Sequence, residues 1–461
     1  MFNQQREAIS RRSLLKTATA AAILQGINLK AETRPSDTPN ILVILADDLG
    51  YGDLSSYGAT DLQTPNIDAL VSGGMRFNNF YANCPVCSPT RASILTGRYP
   101  DLVGVPGLVR TRPENNWGYL SQKAVLVPQM IRPAGYHSGI IGKWNLGLES
   151  PNTPTERGFD FFHGFLGDMM DDYYTHLRLG HNYMRRNQQV VNPKGHATDI
   201  FTDWTIDYLN ERKQDGHKFF LYLAYNAPHV PIQPPEEWLK KVKEREPHLD
   251  EKRAKMAALI EHMDMSIGRV IERLKQNGQF ENTLIVFTSD NGGNLHAGAS
   301  CGSLRGGKED MYEDGIRVPM CAVWANHIAP GSRNDEVAFT MDLVPTICQA
   351  VGVNPPENLN STSILPILES KMDRLPARDL IWVRREGGMR YQGQDYYALR
   401  RGDWKLLQNT PFESFRLYNL KQDPDEKTDL ASQQPKLYQD LIATLMLHFQ
   451  QAGRVPWERP E

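Results

Sequence analysis

Apolar positions along this chain come in two textures. In the first, short unbroken runs are rich in β-branched and aromatic residues. Asn40-Ile41-Leu42-Val43-Ile44-Leu45-Ala46 is the clearest. Gly139-Ile140-Ile141, Phe219-Phe220-Leu221-Tyr222-Leu223-Ala224-Tyr225 and Leu284-Ile285-Val286-Phe287-Thr288 repeat it. A strand with one wet face alternates, so an unbroken run fits a parallel strand covered on both faces. In the second texture apolar residues recur every three or four positions. From Lys252 to Asn277, Leu259, Met263, Ile267, Val270, Ile271 and Leu274 share one helical face, and Gly278 stands where a helix ends. Buried strands alternating with helices predict an α/β fold, with a large mixed, mostly parallel sheet flanked by helices, over residues 38–375.

Near residue 376 the texture changes. Short strand-like pieces follow one another: Asp379–Val383, Tyr396–Arg400, Trp404–Leu407 and Phe415–Leu420. A helical stretch from Gln434 to Ala452 closes the series. Residues 376–461 therefore read as a smaller C-terminal α+β subdomain with an antiparallel sheet and one helix. There is no internal repeat and no low-complexity segment.

The first residues belong to neither domain. Ser10-Arg11-Arg12-Ser13-Leu14-Leu15-Lys16 precedes an apolar stretch from Thr17 to Ile27 that is too short for a membrane anchor. Residues 1–33 read as a twin-arginine signal with its linker, and Ala31 as a small residue near the cleavage site. An amphipathic N-terminal helix is the alternative. The signal implies the twin-arginine export machinery as a partner and a periplasmic or secreted location. That machinery moves folded protein, so any modification must come first. No later apolar run is long enough for a transmembrane helix.

Composition narrows the partners. The 461 residues carry 51 Lys and Arg against 54 Asp and Glu, a net charge of −3, which argues against nucleic acid. Five cysteines are too few for a disulfide framework in a chain of this length. Cys301, Cys321 and Cys348 read as small buried hydrophobes.

Two of the buried strands end in acids. The first runs into Asp47-Asp48, the last into Ser289-Asp290-Asn291-Gly292. Ligand sites in open α/β sheets lie beyond the carboxyl ends of strands. One such pair also suits a turn or a helix N-cap. Two pairs, each after a buried strand, fit a hard cation better. Three carboxylates and an amide oxygen suit Ca²⁺ or Mg²⁺ rather than zinc.

The segment Cys87-Ser88-Pro89-Thr90-Arg91-Ala92-Ser93-Ile94-Leu95-Thr96-Gly97 has the form C-x-P-x-R-x-x-x-L-T-G. A buried thiol, or a redox pair with Cys84 in C-x-x-C spacing, is the plain alternative, but no thioredoxin-like unit follows. The form resembles the sequence that marks a cysteine for oxidation to formylglycine in type I sulfatases, of the alkaline-phosphatase-like superfamily. Asp47-Asp48-Leu49-Gly50-Tyr51-Gly52-Asp53, Thr64-Pro65-Asn66 and Ser289-Asp290-Asn291-Gly292 resemble further family motifs. The likeness spans nearly all of the chain after the signal.

The resemblance implies a specific chemistry. A hydrated formylglycine at Cys87 carries two hydroxyls: one attacks sulfur, and the other loses its proton and expels sulfate by C–O cleavage. Either a formylglycine-generating enzyme or an anaerobic sulfatase-maturing enzyme is then a partner. The metal ligands would be Asp47, Asp48, Asp290, Asn291 and modified Cys87, with Ca²⁺ the usual occupant. Arg91 would orient the nucleophile, and the short helix from about Thr90 would favour its charge. Lys143 and Lys308 would clamp sulfate oxygens, and His229 would protonate the leaving alcohol. Where the family reads G-K-W-H, this chain reads Gly142-Lys143-Trp144-Asn145. Asn145 can hydrogen-bond but cannot titrate near neutrality.

The expected substrate is a sulfated carbohydrate. Gly167–Arg178 is rich in acids and aromatics, and Arg385 comes from the small subdomain. Asp171, Asp172, His176, Arg178 and Arg385 are the candidate sugar contacts, although a solvated charged loop explains the same residues. A phosphodiester or phosphonate monoester hydrolase, or an impaired glycan binder, are the alternatives. Asp290-Asn291 argues for sulfate over phosphorus.

Overall fold

β1 (Asn40–Ala46) is buried at every position. Ile41, Val43 and Leu45 enter one core, while Leu42, Ile44 and Ala46 enter the other. Both faces are covered, which is why the run shows no alternation. The computed structural model describes residues 38–112, 116–386 and 393–458. The twin-arginine segment lies outside the described residues.

The later strands, in chain order, are β2 (Met75–Tyr81), β3 (His137–Lys143), β4 (Phe161–Phe165), β5 (Leu177–Arg178), β6 (His181–Asn182), β7 (Met184–Arg186) and β8 (Gln189–Val190). Then come β9 (Phe219–Ala224), β10 (Thr283–Ser289), β11 (Met320–Val323) and β12 (Ser332–Phe339). The small sheet uses β13 (Asp379–Arg385), β14 (Asp395–Arg401), β15 (Trp404–Gln408) and β16 (Arg416–Asn419).

The main sheet has ten strands in the order β12-β2-β11-β10-β1-β9-β3-β4-β7-β8. The centre is parallel: β1 pairs with β10 and β9, and β3 with β9 and β4. β2 also runs parallel to β12. Antiparallel pairs join β11 to β10 and β2, and β7 to β4 and β8. The four unbroken apolar runs are the four adjacent strands β10-β1-β9-β3, the part of the sheet with most cover.

Helix Glu251–Gln276 packs on one face through Leu259, Met263, Ile267, Val270 and Leu274. Asp250 caps its start by accepting from the Arg253 N–H at 2.9 Å. Gly278 takes φ +67° just past its end, a conformation glycine adopts without penalty.

The small sheet is antiparallel in the order β13-β14-β15-β16. Helix Pro435–Ala452 covers it through Leu441, Leu445 and Ala452. Trp382 meets Tyr81 and Phe339 edge to face, with ring centroids 5.5 and 4.7 Å apart. Its indole N–H donates to Ala82 O at 2.8 Å. Beside it Lys405 is wholly buried and pairs with Glu313 at 2.9 Å and Glu426 at 2.8 Å. No helix among the described residues is long and apolar enough to cross a membrane.

Candidate active site

β10, β1, β9 and β3 lie side by side and run in one direction. Their carboxyl ends open on one edge. Ala46 is in register with Ser289, so Asp47 and Asp290 emerge as neighbours. The Asp290 N–H donates to Ala46 O, and the Asp47 N–H to Ala227 O, each at 3.1 Å. Asp48 then turns to φ +66°, and its N–H donates to Asp290 Oδ1 at 3.2 Å. Gly292 makes room for the crowding: a Cβ there would fall 1.5 Å from Asp314 O.

Helix Cys87–Thr96 points its N-terminus at these acids. It begins three residues before the expected Thr90, so Cys87 is its first residue. Cys87 is 2% exposed, and its Sγ lies 3.3 Å from Asp47 Oδ1. Arg91, one turn on, is fully buried. Its Nε and Nη2 donate to Asp290 Oδ2 at 3.0 and 2.7 Å, and its Nη1 to Lys143 O at 3.1 Å. Lys143, the last residue of β3, reaches Asp47 Oδ2 at 2.5 Å. Lys308 reaches Asp48 Oδ2 at 2.8 Å and His229 Nε2 at 3.0 Å.

These contacts set the charges. Burial alone would raise the Asp47 carboxyl, but Lys143, His229 and Arg91 hold it well below the ordinary carboxylate range. Burial and the neighbouring Asp47 push Asp290 up, against Arg91. Burial, seconded by Asp47, drives the Cys87 thiol well above its usual range, so no ready thiolate exists. Burial also lowers His229, with Lys308 adding to the effect and Asp48 opposing it. A neutral His229 can donate from Nδ1 to Val230 O at 2.7 Å and accept at Nε2 from Lys308.

The donor set suits a hard cation. Asp47, Asp48, Cys87 and His229 each bring a ligand atom within 4.8 Å of the others. Asn291 donates from Nδ2 to Asp48 Oδ1 at 2.8 Å. Its Oδ1 is buried with no hydrogen-bond partner among the described residues. An orphaned amide oxygen beside three carboxylates is what an oxygen-ligated cation requires. Cys84 and Cys87 are both free thiols, and Cys84 contacts Val383 O at 3.5 Å.

Asn145 is also buried at this edge, at φ +56°, and its Nδ2 donates to Val109 O at 2.7 Å. Its Oδ1 has no partner among the described residues. The sugar-contact candidates behave differently. His176 is 1% exposed and faces Gly195 O at 3.0 Å, so its ring is packed inside the chain. Asp172 accepts from Gln233 Nε2 at 2.8 Å and from the Tyr174 and Thr175 N–H groups. Arg178 spans Asp168 at 3.2 Å and the more exposed Asp171 at 2.7 Å. Arg385 donates to Tyr397 OH at 3.1 Å and lies over Trp457.

Sequence reasoning missed two supports. Tyr173 OH lies 2.8 Å from Asn226 O and 2.9 Å from His229 O, and so braces the His229 loop. Val109 links the nucleophile helix to Asn145: its N–H donates to Ser88 Oγ at 3.0 Å and its carbonyl accepts from Asn145. Neither belongs to a motif, because both act through backbone groups far away in sequence.

Comparison with known proteins places this geometry in context. The family model described as Sulfatase matches residues 39–353, and the model for the C-terminal part of N-sulphoglucosamine sulphohydrolase matches residues 307–453. The N-acetylgalactosamine-6-sulfatase of Sus scrofa is 31% identical, over 82% of this chain and 73% of its own. The Homo sapiens enzyme is 31% identical over 75% and 68%. The crystal structure of Ps i-CgsB in complex with k-i-k-neocarrahexaose aligns with a TM-score of 0.83 at 31% identity, over 90% of this chain and 93% of its own. The phosphonate monoester hydrolase of Agrobacterium radiobacter, at TM-score 0.65 and 19% identity, shares the fold.

Proposed function

The chain belongs to the sulfatase family and is a sulfuric ester hydrolase, and we propose that it removes sulfate from a sulfated carbohydrate with a formylglycine made from Cys87 and a bound Ca²⁺. One observation carries the reading: Cys87, three carboxylates, Asn291, the buried cations Arg91 and Lys143 and the partly exposed Lys308 converge at the ends of four adjacent strands. The Cys87 Cβ is the carbon that would become the aldehyde, and its Sγ stands where an aldehyde oxygen would be. When present, the hydrated aldehyde supplies one hydroxyl to attack sulfur and a second whose deprotonation releases sulfate. Asp47, Asp48, Asp290 and the orphaned Asn291 Oδ1 would hold Ca²⁺, which lowers the pKa of that hydroxyl and polarises the ester oxygens when bound.

The chain's own residues do the rest. Lys143 and Lys308 place ammonium groups beside Asp47 and Asp48, where they meet sulfate oxygens and stabilise charge as the S–O bond breaks. Arg91 is fixed by Asp290 and by Lys143 O, and it aligns the nucleophile from inside the helix. His229 and Lys308 share one hydrogen bond, so a proton for the departing alcohol is held between Nε2 and Nζ. Asn145 keeps an orienting hydrogen bond where a His would also titrate. The neocarrahexaose bound by Ps i-CgsB and the N-acetylgalactosamine-6-sulfatase activity named for the Sus scrofa relative support a glycan substrate.

The Ser10–Lys16 segment supports export by the twin-arginine route to the periplasm or beyond, after a maturing enzyme has oxidised Cys87 in the cytoplasm. The change of texture near residue 376 supports a catalytic domain over 38–375 and a C-terminal subdomain over 376–461. The decisive experiment is sulfate release from carrageenan, ulvan, fucoidan, chondroitin and heparan fragments, with mass analysis of the tryptic peptide Phe77–Arg91. Sulfate release together with an aldehyde at Cys87 is expected. An unmodified thiol in active protein from its native host, or cleavage of a phosphodiester alone, would overturn the reading.

A further inference from the structure

We infer that the cleft beside Asn145 is a subsite for a sugar ring next to the sulfated one, so that this protein reads an oligosaccharide rather than a lone sulfated sugar. The inference rests on the sulfatase reading above. The cleft has a volume of about 630 Å³, and Val109, Thr111, Asn116, Trp117, Tyr183 and Trp457 are among its walls. That is the size and composition of a small-molecule site, aromatic with a few polar groups.

Its position follows from Val109. That residue lines the cleft, donates its N–H to Ser88, the residue after Cys87, and accepts from Asn145. A single residue thus separates the cleft from the nucleophile helix. Cys87, Lys143 and Arg91 are themselves enclosed, so a ring beyond the sulfated one is assigned to the more open space of the cleft.

Its chemistry fits a neutral pyranose ring. The indoles of Trp117 and Trp457 meet edge to face, with centroids 6.0 Å apart and planes at 89°. This corner presents a flat aromatic face, which matches the C–H face of a sugar. Thr111 Oγ1 is buried with no hydrogen-bond partner among the described residues, and it offers a hydroxyl to the ring's rim. The Arg110 guanidinium is met by Glu386 at 2.6 Å, so its charge is already answered. Arg385 backs the corner. Its guanidinium lies 5.0 Å from the Trp457 ring centroid while Nε donates to Tyr397. Arg385 is therefore a positioning residue for Trp457, not a direct sugar contact.

The test uses the full chain with Cys87 matured. Trp117→Ala and Trp457→Ala are compared with wild type on hexasaccharides from carrageenan, chondroitin sulfate and heparan sulfate, and on N-acetylgalactosamine 6-sulfate and 4-nitrophenyl sulfate. The expected result is at least a tenfold fall in the ratio of hexasaccharide to small-substrate kcat/KM, carried by KM, with Trp117→Phe recovering most of it. An unchanged ratio overturns the inference. Calorimetric binding of the chemically desulfated hexasaccharides separates the two readings. If wild type releases no sulfate from any compound, the sulfatase mechanism fails. Even then, binding to wild type that Trp117→Ala loses supports the subsite, and no binding overturns it.

Discussion

Two buried clusters of charge in this protein look alike at first. One holds Asp47, Asp48 and Asp290 against Arg91, Lys143 and Lys308. The other holds Glu313 and Glu426 against Lys405, with Tyr81 donating to Glu313 at 2.6 Å. Both perturb their acids in the same way. Burial and Asp47 push Asp290 up to about 7, and burial pushes Glu426 up to about 7 despite Lys405. Perturbed carboxylates therefore do not tell a site from a strut. Open valence does. Glu313 Oε1 and Oε2 and the Lys405 ammonium find partners inside their cluster, and Glu426 Oε1, which makes no well-aligned hydrogen bond, still lies 2.8 Å from that ammonium. In the strand-end cluster Asn291 Oδ1 has none, and Lys308 and His229 keep a rim of exposure at 11% and 8%. The sealed cluster ties the small sheet to the large one, and the open one keeps an unpartnered oxygen at the strand ends.

Substitution separates the two sharply. Cys87→Ala should cut sulfate release by about 10⁴-fold or more, since removal of a covalent nucleophile typically costs that much. Its melting temperature should stay near that of wild type, because the change removes only one small polar group and leaves the surrounding ion pairs in place. Lys405→Met should do the reverse. It leaves two buried carboxylates without their cation, at a cost of about 3–5 kcal/mol by denaturant unfolding. Activity per folded molecule should be retained. A Lys405→Met protein that is stable but inactive would erase the distinction.

Metal linkage is the next largest effect. A cation that binds only the folded chain stabilises it by about 2.7 kcal/mol at a hundredfold excess over its dissociation constant. Chelation should lower the melting temperature and Ca²⁺ should restore it. Asn291→Ala should remove most of that response, because it deletes the one orphaned ligand oxygen. The sealed cluster should show no metal response: a Ca²⁺ shift lost in Glu426→Gln but kept in Asn291→Ala would place the ion elsewhere.

How much of this was legible in the sequence depends on where each contact lies. β1, β3, β9 and β10 were readable because strands covered on both faces write unbroken apolar runs. β2 and β12 were not. Exposure interrupts both, with β12 partly solvent-facing along its first six residues. The strand-end acids and Lys143 could be read because motif and strand end coincide, and Lys308 because a motif marks it in its loop. In the insert, acids, aromatics and His176 resemble a sugar pocket in composition, but composition does not show that Gln233 holds Asp172 or that Tyr173 braces the His229 loop. Trp117 and Trp457 lie far apart along the chain, and no local pattern pairs them.

Asn145 offers the finest comparison, since it sits in the open cluster yet has no charge. Its Nδ2 bond to Val109 O is buried, and a hydrogen bond of that kind is worth about 1 kcal/mol. Asn145→Ala should therefore lower kcat by roughly fivefold if that energy is expressed in the transition state, with little change in KM. Asn145→His tests the alternative to mere orientation. The left-handed backbone at φ +56° favours Asn over most residues but tolerates His. If an imidazole there raises kcat and adds an ionisation to its pH profile, proton transfer at this position was limiting, and the amide serves only to orient. If Asn145→Ala leaves turnover unchanged, the bond to Val109 belongs to the cleft wall rather than to the chemistry, and Asn145 leaves the catalytic set.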